Sequence, residues 1–232
     1  MIEVRSFASL GHADHGWLNA RHHFSFASYL DRGRMGWGAI RVWNDDTIAA
    51  GTGFDPHPHR DMEIVTFVRE GAISHRDSLG NSGRTAAGDV QVMSAGSGIV
   101  HSEHNREGVA TTLFQIWILP DAPGGEPGWG QRDFPRGERA GRWVTLASGT
   151  PEADDALPIR ADARVLGATL PAGESLTLPL DPARHQYLVA PVGRITVNGV
   201  AANPRDGIAI TGESELVVSA SEDAELVLVD AR

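Results

Sequence analysis

Short apolar runs that end in turn residues are the feature that most restricts the fold of this 232-residue chain. Residues 62–68 are rich in β-branched and aromatic side chains, which favour strands, and residues 69–71 form a turn. A second strand is predicted over 72–77, and residues 78–83 have the composition of a hairpin tip. This rhythm continues along most of the chain without a convincing long amphipathic helix. The sequence therefore predicts an all-β protein.

A Pro- and Gly-rich segment divides these strands into two groups. The prolines and glycines of residues 121–143 break any regular element, which is typical of a linker or a long surface excursion. We therefore expect residues 1–120 to form an N-terminal barrel and residues 144–232 to form a C-terminal barrel. Within the second group, the pair Asn198-Gly199 lies between two apolar runs and indicates a tight hairpin.

Composition excludes several kinds of chemistry. The chain has no Cys, and every basic residue is Arg rather than Lys. Thiolate catalysis, zinc fingers, iron–sulfur clusters and Schiff-base lysines are therefore ruled out. Ten His and thirty acidic residues remain available as metal ligands. The formal net charge of −10 argues against a nucleic-acid contact surface, which requires clustered basic residues.

The first residues of the chain do not resemble a targeting signal. They lack the basic segment and the apolar run of a signal peptide, and no stretch of the sequence is long enough to span a bilayer. We therefore expect a cytoplasmic protein without membrane contacts. A monomer is expected, because two barrels in one chain can bury each other's faces.

Two pairs of metal-ligating residues occur at i, i+2 spacing. His57 and His59 form one pair, and His101 and Glu103 form the other. Side chains two residues apart in a strand point to the same face, so each pair can reach one ion. Either pair alone could be a set of surface residues, but together they offer four compatible ligands. Three imidazoles and one carboxylate suit iron, manganese, nickel, copper or zinc better than calcium or magnesium.

The spacing around these residues resembles two motifs of the cupin superfamily. The first motif is matched by residues 51–63, and the second is echoed between Gly88 and Asn105. More narrowly, four segments resemble the pirin family and cover most of residues 1–120. The resemblance implies two double-stranded β-helix (cupin or jelly-roll) barrels in one chain, an arrangement called a bicupin. The four segments are Arg21-His-His-Phe-Ser-Phe-Ala-Ser-Tyr29, His57-Pro-His59-Arg-Asp-Met-Glu63-Ile, His75-Arg-Asp-Ser-Leu-Gly-Asn81 and Met93-Ser-Ala-Gly-Ser-Gly-Ile-Val-His101-Ser-Glu103.

The resemblance assigns the carboxylate ligand to Glu103. The spacing from Glu63 to Gly71 is one residue longer than in the general cupin pattern, and pirins take their carboxylate from the second motif. The implied cofactor is one divalent transition metal, with Fe(II) first and Mn, Ni, Cu, Co or Zn as alternatives. The C-terminal half contains a single histidine, His185, so no metal is expected there.

Three further residues are assigned to the surroundings of the metal. Arg60 follows the first ligand pair and could bind a substrate oxyanion or form a structural ion pair. Glu63 is assigned to supporting the ligands or the fold. Gln115 interrupts an otherwise apolar strand and is expected to line the pocket. His75 and Asp77, also spaced i, i+2, are expected to stabilise a hairpin.

The resemblance to pirins implies either an enzyme or a regulator. As an enzyme, the chain would be a dioxygenase that opens the heterocyclic ring of flavonols such as quercetin (quercetin 2,3-dioxygenase activity). Glu103 would act as its general base, and a flavonol and dioxygen would be its substrates. As a regulator, it would sense metal or redox state and bind a protein partner. A cupin isomerase or another oxygenase is a third interpretation, because the sequence does not reveal the pocket walls.

Overall fold

The computed structural model describes residues 1–150 and 155–232. Its regular elements are strands and two 3-10 helices, Phe7–Ser9 and Arg136–Arg139. Neither of these short helices could cross a membrane. The strands are β1 (Ile2–Arg5), β2 (Gly11–Asp14), β3 (Leu18–His22), β4 (Ile40–Ile48), β5 (Gly53–His59), β6 (Glu63–Glu70), β7 (Ala72–Asp77), β8 (Ser82–Ala86), β9 (Val90–Ser94), β10 (Ile99–His104), β11 (Thr111–Ile118), β12 (Gly128–Arg132), β13 (Val144–Ser148), β14 (Leu157–Pro158), β15 (Ala163–Leu170), β16 (Ser175–Pro179), β17 (His185–Val192), β18 (Ile195–Val197), β19 (Val200–Ala202), β20 (Gly207–Thr211), β21 (Glu215–Ala220) and β22 (Ala224–Ala231).

Each half of the chain contains one seven-stranded and one four-stranded sheet. In the N-terminal half the orders are β12-β9-β6-β11-β4-β3-β2 and β5-β10-β7-β8. In the C-terminal half they are β1-β20-β17-β22-β15-β13-β14 and β16-β21-β18-β19. Non-consecutive strands are neighbours in all four sheets, as a jelly roll requires. The prediction of an all-β fold with two cupin barrels is therefore confirmed.

The predicted hairpin at Asn198-Gly199 is present. The two residues connect β18 to β19, which pair antiparallel, and their φ angles are 46° and 82°. Positive φ at both central positions is what a type I′ turn demands, and Asn and Gly tolerate it best. The local sequence therefore determines this turn directly.

The two seven-stranded sheets pack against each other and bury an apolar core between the barrels. Successive side chains of strand β11 point to opposite faces of the sheet. Phe114 and Ile116 enter the core between the barrels, whereas Leu113 and Gln115 point into the N-terminal barrel. The C-terminal barrel contributes side chains such as Val227 from β22 to the same cluster. The cluster therefore joins the barrels through apolar contacts on both sheets.

The interiors of the two barrels differ in polarity. The C-terminal barrel is filled by one buried apolar cluster, which includes Leu188, Ile208 and Leu226. In the N-terminal barrel the buried apolar residues form two smaller clusters, one around Leu113 and one around Met93. Buried polar side chains such as Gln91 and Glu103 lie in the same barrel. A polar site is therefore built into the N-terminal barrel.

The structure differs from the predicted division of the chain at two places. Strand β1, in the predicted N-terminal barrel, pairs with β20 of the C-terminal sheet, because Ile2 and Val4 pack against the C-terminal apolar cluster. Strand β12 lies within the predicted linker and pairs with β9 of the N-terminal sheet. Its five residues contain no Pro, so their N–H groups are free to pair. Otherwise the limits at residues 120 and 143 stay predictions.

A buried histidine and a buried tyrosine connect the barrels by a hydrogen bond. His23 Nδ1 lies 3.0 Å from the Tyr187 hydroxyl on β17, and both side chains are fully buried. Burial, followed by the positive charge of Arg5, lowers the pKa of His23 to about 3. In the folded protein His23 is therefore neutral across the physiological range.

We predict that His23 makes the fold less stable in acid. At pH values between the unfolded pKa of His23, about 6.5, and its folded pKa, His23 is protonated in the unfolded chain but not in the folded chain. The contribution of neutral His23 to the free energy of unfolding is therefore fully present above about pH 6.5. It falls by up to about 1.4 kcal/mol per pH unit as the pH drops below that value. In the metal-free His23→Gln variant, the free energy of unfolding measured by urea titration should depend less on pH over 4–6.

The exposed His12 provides the matched control. His12→Gln should leave the pH dependence of the free energy of unfolding as it is in the unmodified protein. Equal slopes for the His23 and His12 variants would contradict a buried, neutral His23.

Candidate metal centre

The two predicted ligand pairs lie opposite each other on neighbouring strands. Strands β5 and β10 pair antiparallel, with His57 across from His101 and His59 across from Ile99. A bulge interrupts the register between His101 and Glu103, because β5 has an additional residue there. The extra residue allows Phe54 as well as His57 and His59 to face the barrel interior.

Gly53 permits the close approach of these strands. A Cβ atom at this position would lie 2.2 Å from the carbonyl oxygen of Glu103. Such a contact is far inside van der Waals distance, so a side chain here would push β5 away from β10. The glycine therefore helps to bring the two predicted ligand pairs within reach of each other.

Three imidazoles converge at the mouth of the N-terminal barrel. The Nε2 atoms of His57 and His101 are 3.1 Å apart, and ligand atoms of His57, His59 and His101 all lie within 4.8 Å of one another. Two nitrogens bound at right angles to one ion, each at about 2.1 Å, would be separated by about 3.0 Å. The observed separation therefore fits a shared divalent cation.

The protonation of these histidines also fits a metal. His57 Nδ1 lies 2.7 Å from the carbonyl oxygen of Asp55 and can donate a hydrogen bond to it, which leaves the lone pair on Nε2 free. Burial, followed by the neighbouring His57, lowers the pKa of His59 to about 4 and that of His101 to about 2. His59 Nε2 is buried without a hydrogen-bond partner among the described residues. Neutral imidazoles with free nitrogens are the form that binds metal ions.

Glu103 lies deeper in the barrel than the three histidines. One of its carboxylate oxygens lies within 4.8 Å of ring nitrogens of His75 and His101, so it belongs to a second cluster that shares His101. Burial raises the pKa of Glu103 to about 7. The structure thus brings the three predicted histidines together and places the predicted carboxylate beside His101.

Two amide side chains hold the carboxylate of Glu103. Gln115 Nε2 donates to Oε2 at 2.6 Å, and Gln91 Nε2 donates to Oε1. Thr66 Oγ1 lies 3.5 Å from Oε1, at the outer limit of a hydrogen bond. Each of the three residues belongs to a different strand of the seven-stranded sheet, so the sheet fixes the orientation of the carboxylate.

Gln91 and Thr66 are site residues that the sequence analysis missed. Gln91 interrupts the apolar run Val90-Gln-Val-Met93, which is the signal that identified Gln115 on β11. Applied to every strand, that signal would have found Gln91. Thr66 gives no such signal, because threonine is common in strands.

The other two predicted surrounding residues lie in different environments. Arg60 donates from Nη2 to the carbonyl oxygen of Ser97 at 3.0 Å and lines, with His59, a pocket of about 460 Å³. Glu63 has the same parity on β6 as Val65, which faces the inter-barrel core. Its carboxylate accepts a hydrogen bond from Ser94 Oγ at 2.5 Å. The structure therefore places Arg60 beside the site and Glu63 on the opposite face of the sheet.

His75 and Asp77 serve the hairpin and also adjoin the site. Asp77 accepts hydrogen bonds from Asn81 and from the backbone of Leu79, which tie the hairpin tip together. Its other contact is His75 Nε2 at 3.1 Å. The His75 ring stacks on Trp129 with centroids 4.8 Å apart and lies 5.3 Å from the His101 ring.

An aromatic wall borders the histidines. Trp117 packs edge-on against His59 with ring centroids 4.9 Å apart, and Phe26 packs edge-on against Trp117 at 5.4 Å. The Trp117 Nε1–H donates to Gln115 Oε1 at 3.2 Å. An apolar, aromatic surface therefore leads to the three imidazoles, and binding sites for aromatic molecules are commonly lined in this way.

Comparison with known proteins gives consistent results over the whole chain. A family model described as Pirin matches residues 3–118, and one described as Quercetinase C-terminal cupin domain matches residues 145–231. A pirin-like protein of Caulobacter vibrioides is 62% identical over 231 residues, which is 100% of both chains. A quercetin 2,3-dioxygenase of Escherichia coli strain K12 is 41% identical, with 99% of this chain and 98% of that protein covered.

Solved structures agree with this relationship. The crystal structure of the bacterial pirin YhhW from Escherichia coli in complex with nickel(II) superposes with a TM-score of 0.94 and 40% sequence identity. The superposition covers 100% of this chain and 99% of that one. The family matches, the full-length relatives and the two-barrel fold together show that this chain belongs to the pirin family.

Proposed function

We propose that this protein is a metal-dependent dioxygenase that opens the heterocyclic ring of flavonols such as quercetin. The observation that carries the proposal is the arrangement of three imidazoles beside a buried carboxylate at the end of an aromatic wall. The similarity to a protein named quercetin 2,3-dioxygenase supports this choice of reaction.

We propose His57, His59, His101 and Glu103 as the metal ligands. Fe(II) is our first choice of metal, and Mn, Ni, Cu, Co and Zn also suit this donor set. The nickel(II) complex of the related bacterial pirin is consistent with that range. When bound, the divalent ion supplies positive charge that lowers the pKa of a flavonol hydroxyl group.

In this proposal Glu103 accepts the proton of that hydroxyl group. In the metal-free protein, burial raises the pKa of this carboxyl group to about 7, so the carboxylate takes up a proton more readily than an exposed one. Gln91 and Gln115 hold the carboxylate through their amide groups, and Trp117 links to this network through Gln115. The protein thus holds the proton acceptor at a fixed place beside His101 before substrate arrives.

The remaining residues position the substrate. The Trp117 and Phe26 rings offer an apolar surface for the flavonol rings, and Arg60 lies at the rim, where it can bind a substrate oxyanion. Both atoms of dioxygen enter the ring-opened product, and the excised carbon atom leaves as carbon monoxide.

The first prediction from this proposal concerns turnover. Protein loaded separately with each of the six metals is mixed with quercetin in air. At least one metal should support loss of the flavonol absorbance with release of one carbon monoxide per quercetin. In ¹⁸O₂, both labelled atoms should appear in the product. If none of the six metals supports turnover, the dioxygenase proposal is wrong and the regulatory interpretation is favoured.

The second prediction concerns the metal ligands. His101→Ala should lower metal affinity at least about 100-fold, since loss even of the outer partners of a ligand costs about 10- to 100-fold. The measurement is metal content after dialysis against a weak chelator. His104→Ala is the matched control, because His104 follows on the same strand and lies 3.8 Å from Asp55 instead. Full occupancy in His101→Ala would refute the ligand assignment.

The third prediction tests the role of Glu103. Glu103→Gln keeps the shape of the side chain but removes the proton acceptor, so turnover at saturating metal should fall about 100-fold or more. Glu107→Gln changes a carboxylate that pairs with Arg84 outside the site and should leave turnover unchanged. Unchanged turnover in the metal-loaded Glu103 variant would exclude this residue as the base.

A further inference from the structure

A cleft of about 820 Å³ opens between the two barrels, away from the candidate metal centre. Both barrels and the segment between them line it, through residues that include Thr112, Arg136 and Val192. Thr112 and Gln115 are three residues apart on β11, so their side chains leave opposite faces of the sheet. Gln115 faces Glu103, whereas Thr112 faces the cleft. The seven-stranded sheet therefore separates the cleft from the metal ligands.

One side of the cleft is built on a buried carboxylate held by two arginines. Asp45 has no exposed side-chain surface and forms ion pairs with both Arg69 and Arg205. Arg205 Nε lies 2.6 Å from one carboxylate oxygen, and Arg69 pairs with the other. Two guanidinium groups thus share one negative charge.

The opposite side repeats this arrangement. Glu225 is almost fully buried and pairs with Arg136 at 3.0 Å and with Arg139 at 3.3 Å. Arg136 also donates to the carbonyl oxygen of Arg69, which brings the two groups into contact. In total, four arginines surround two buried carboxylates, so guanidinium N–H donors outnumber carboxylate acceptors at the base of the cleft. Glu70 and Asp223 line the exposed rim, so with Glu225 the cleft has three lining carboxylates beside its three lining arginines.

Polar groups at this base still have unused hydrogen-bonding capacity. Arg69 Nε and Thr112 Oγ1 are buried and have no hydrogen-bond partner within the described parts of the chain. Buried polar groups normally form at least one hydrogen bond, so each of these two atoms is expected to have a hydrogen-bond partner. Arg205 lines the cleft and uses its Nε toward Asp45, and its two terminal nitrogens are further N–H donors.

The upper walls of the cleft are apolar. Leu170, Pro171 and Pro191 line it, and Val192 leaves 57% of its surface exposed at the edge. Apolar walls beside three arginine side chains suit a molecule with an apolar body and one anionic end that accepts guanidinium hydrogen bonds. Guanidinium groups bind carboxylate and phosphate oxygens through paired N–H donors.

We propose that this cleft binds a small organic anion with an apolar body, through Arg69, Arg205 and Arg136. The anionic end is a carboxylate or a phosphate monoester, which share the oxygen acceptors that the arginines recognise. The site is separate from the metal centre and does not depend on the dioxygenase activity.

The test is a ¹⁹F NMR titration of metal-free protein with three probes of similar size. The probes are 4-fluorobenzoate, 4-fluorophenyl phosphate and the neutral 4-fluorobenzamide. At least one anionic probe should bind saturably at one site per chain, and the neutral probe should bind at least about tenfold more weakly, because it cannot form charge-assisted hydrogen bonds as an acceptor. The stronger anion identifies the source of the charge. Metal-free protein is used so that the probes cannot bind a metal ion.

Variants locate the binding site. Arg205→Gln should weaken binding of the anion by about tenfold, and it leaves Asp45 its ion pair with Arg69. Ala140→Trp should block both charged and neutral probes, because Ala140 lines the cleft and a large side chain would fill it. Arg194→Gln removes an exposed arginine outside the cleft and should leave the affinity unchanged.

Three results would overturn the proposal. They are no saturable binding of either anion, equal binding of the neutral probe, and anion binding that survives in both Arg205→Gln and Ala140→Trp. Thermal unfolding of each variant shows whether it is folded. Because the measurement uses metal-free protein, failure here leaves the dioxygenase proposal intact, and failure of turnover leaves this one intact.

Discussion

The packing of the two seven-stranded sheets against each other is the interaction on which the rest of the structure depends. It gives the N-terminal sheet an apolar environment on its outer face, where Phe114 and Ile116 are buried between the barrels. Burial of apolar surface stabilises a fold by about 25 cal/mol per Å², so the apolar residues on this face contribute to the stability of the folded protein. The inner face carries polar residues such as Gln91 and Gln115, which are hydrogen-bonded to Glu103 there.

Because the outer face of the N-terminal sheet supplies apolar burial, the interiors of the two barrels can differ in polarity although their sheet orders correspond. The C-terminal barrel uses its interior for an apolar cluster, and the N-terminal barrel interrupts its interior with a carboxylate held by two amides. A buried carboxylate is costly unless it is hydrogen-bonded or paired with a cation. This cost of burying the charged form raises the pKa of Glu103, and a bound cation would lower the cost.

The sequence predicted those parts of the site that depend on spacing within one strand. The pairs His57–His59 and His101–Glu103 follow from the period of two, and Gln115 follows from a polar residue in an apolar run. The bulge on β5 and the face of β6 that carries Glu63 depend on register between strands, which local patterns do not encode.

The same limit applies more strongly to the cleft. Asp45 and Arg205 are 160 positions apart, and only the docking of the barrels brings them together. The cleft and the candidate metal centre are separated by a single sheet, as Asp45 and the next residue, Asp46, show. Asp45 serves the arginines of the cleft, whereas burial, Asp45 and Glu103 raise the pKa of Asp46 well above its usual range. Strand β4 thus presents one carboxyl group to each side, so the sheet that joins the barrels also carries polar groups for both sites.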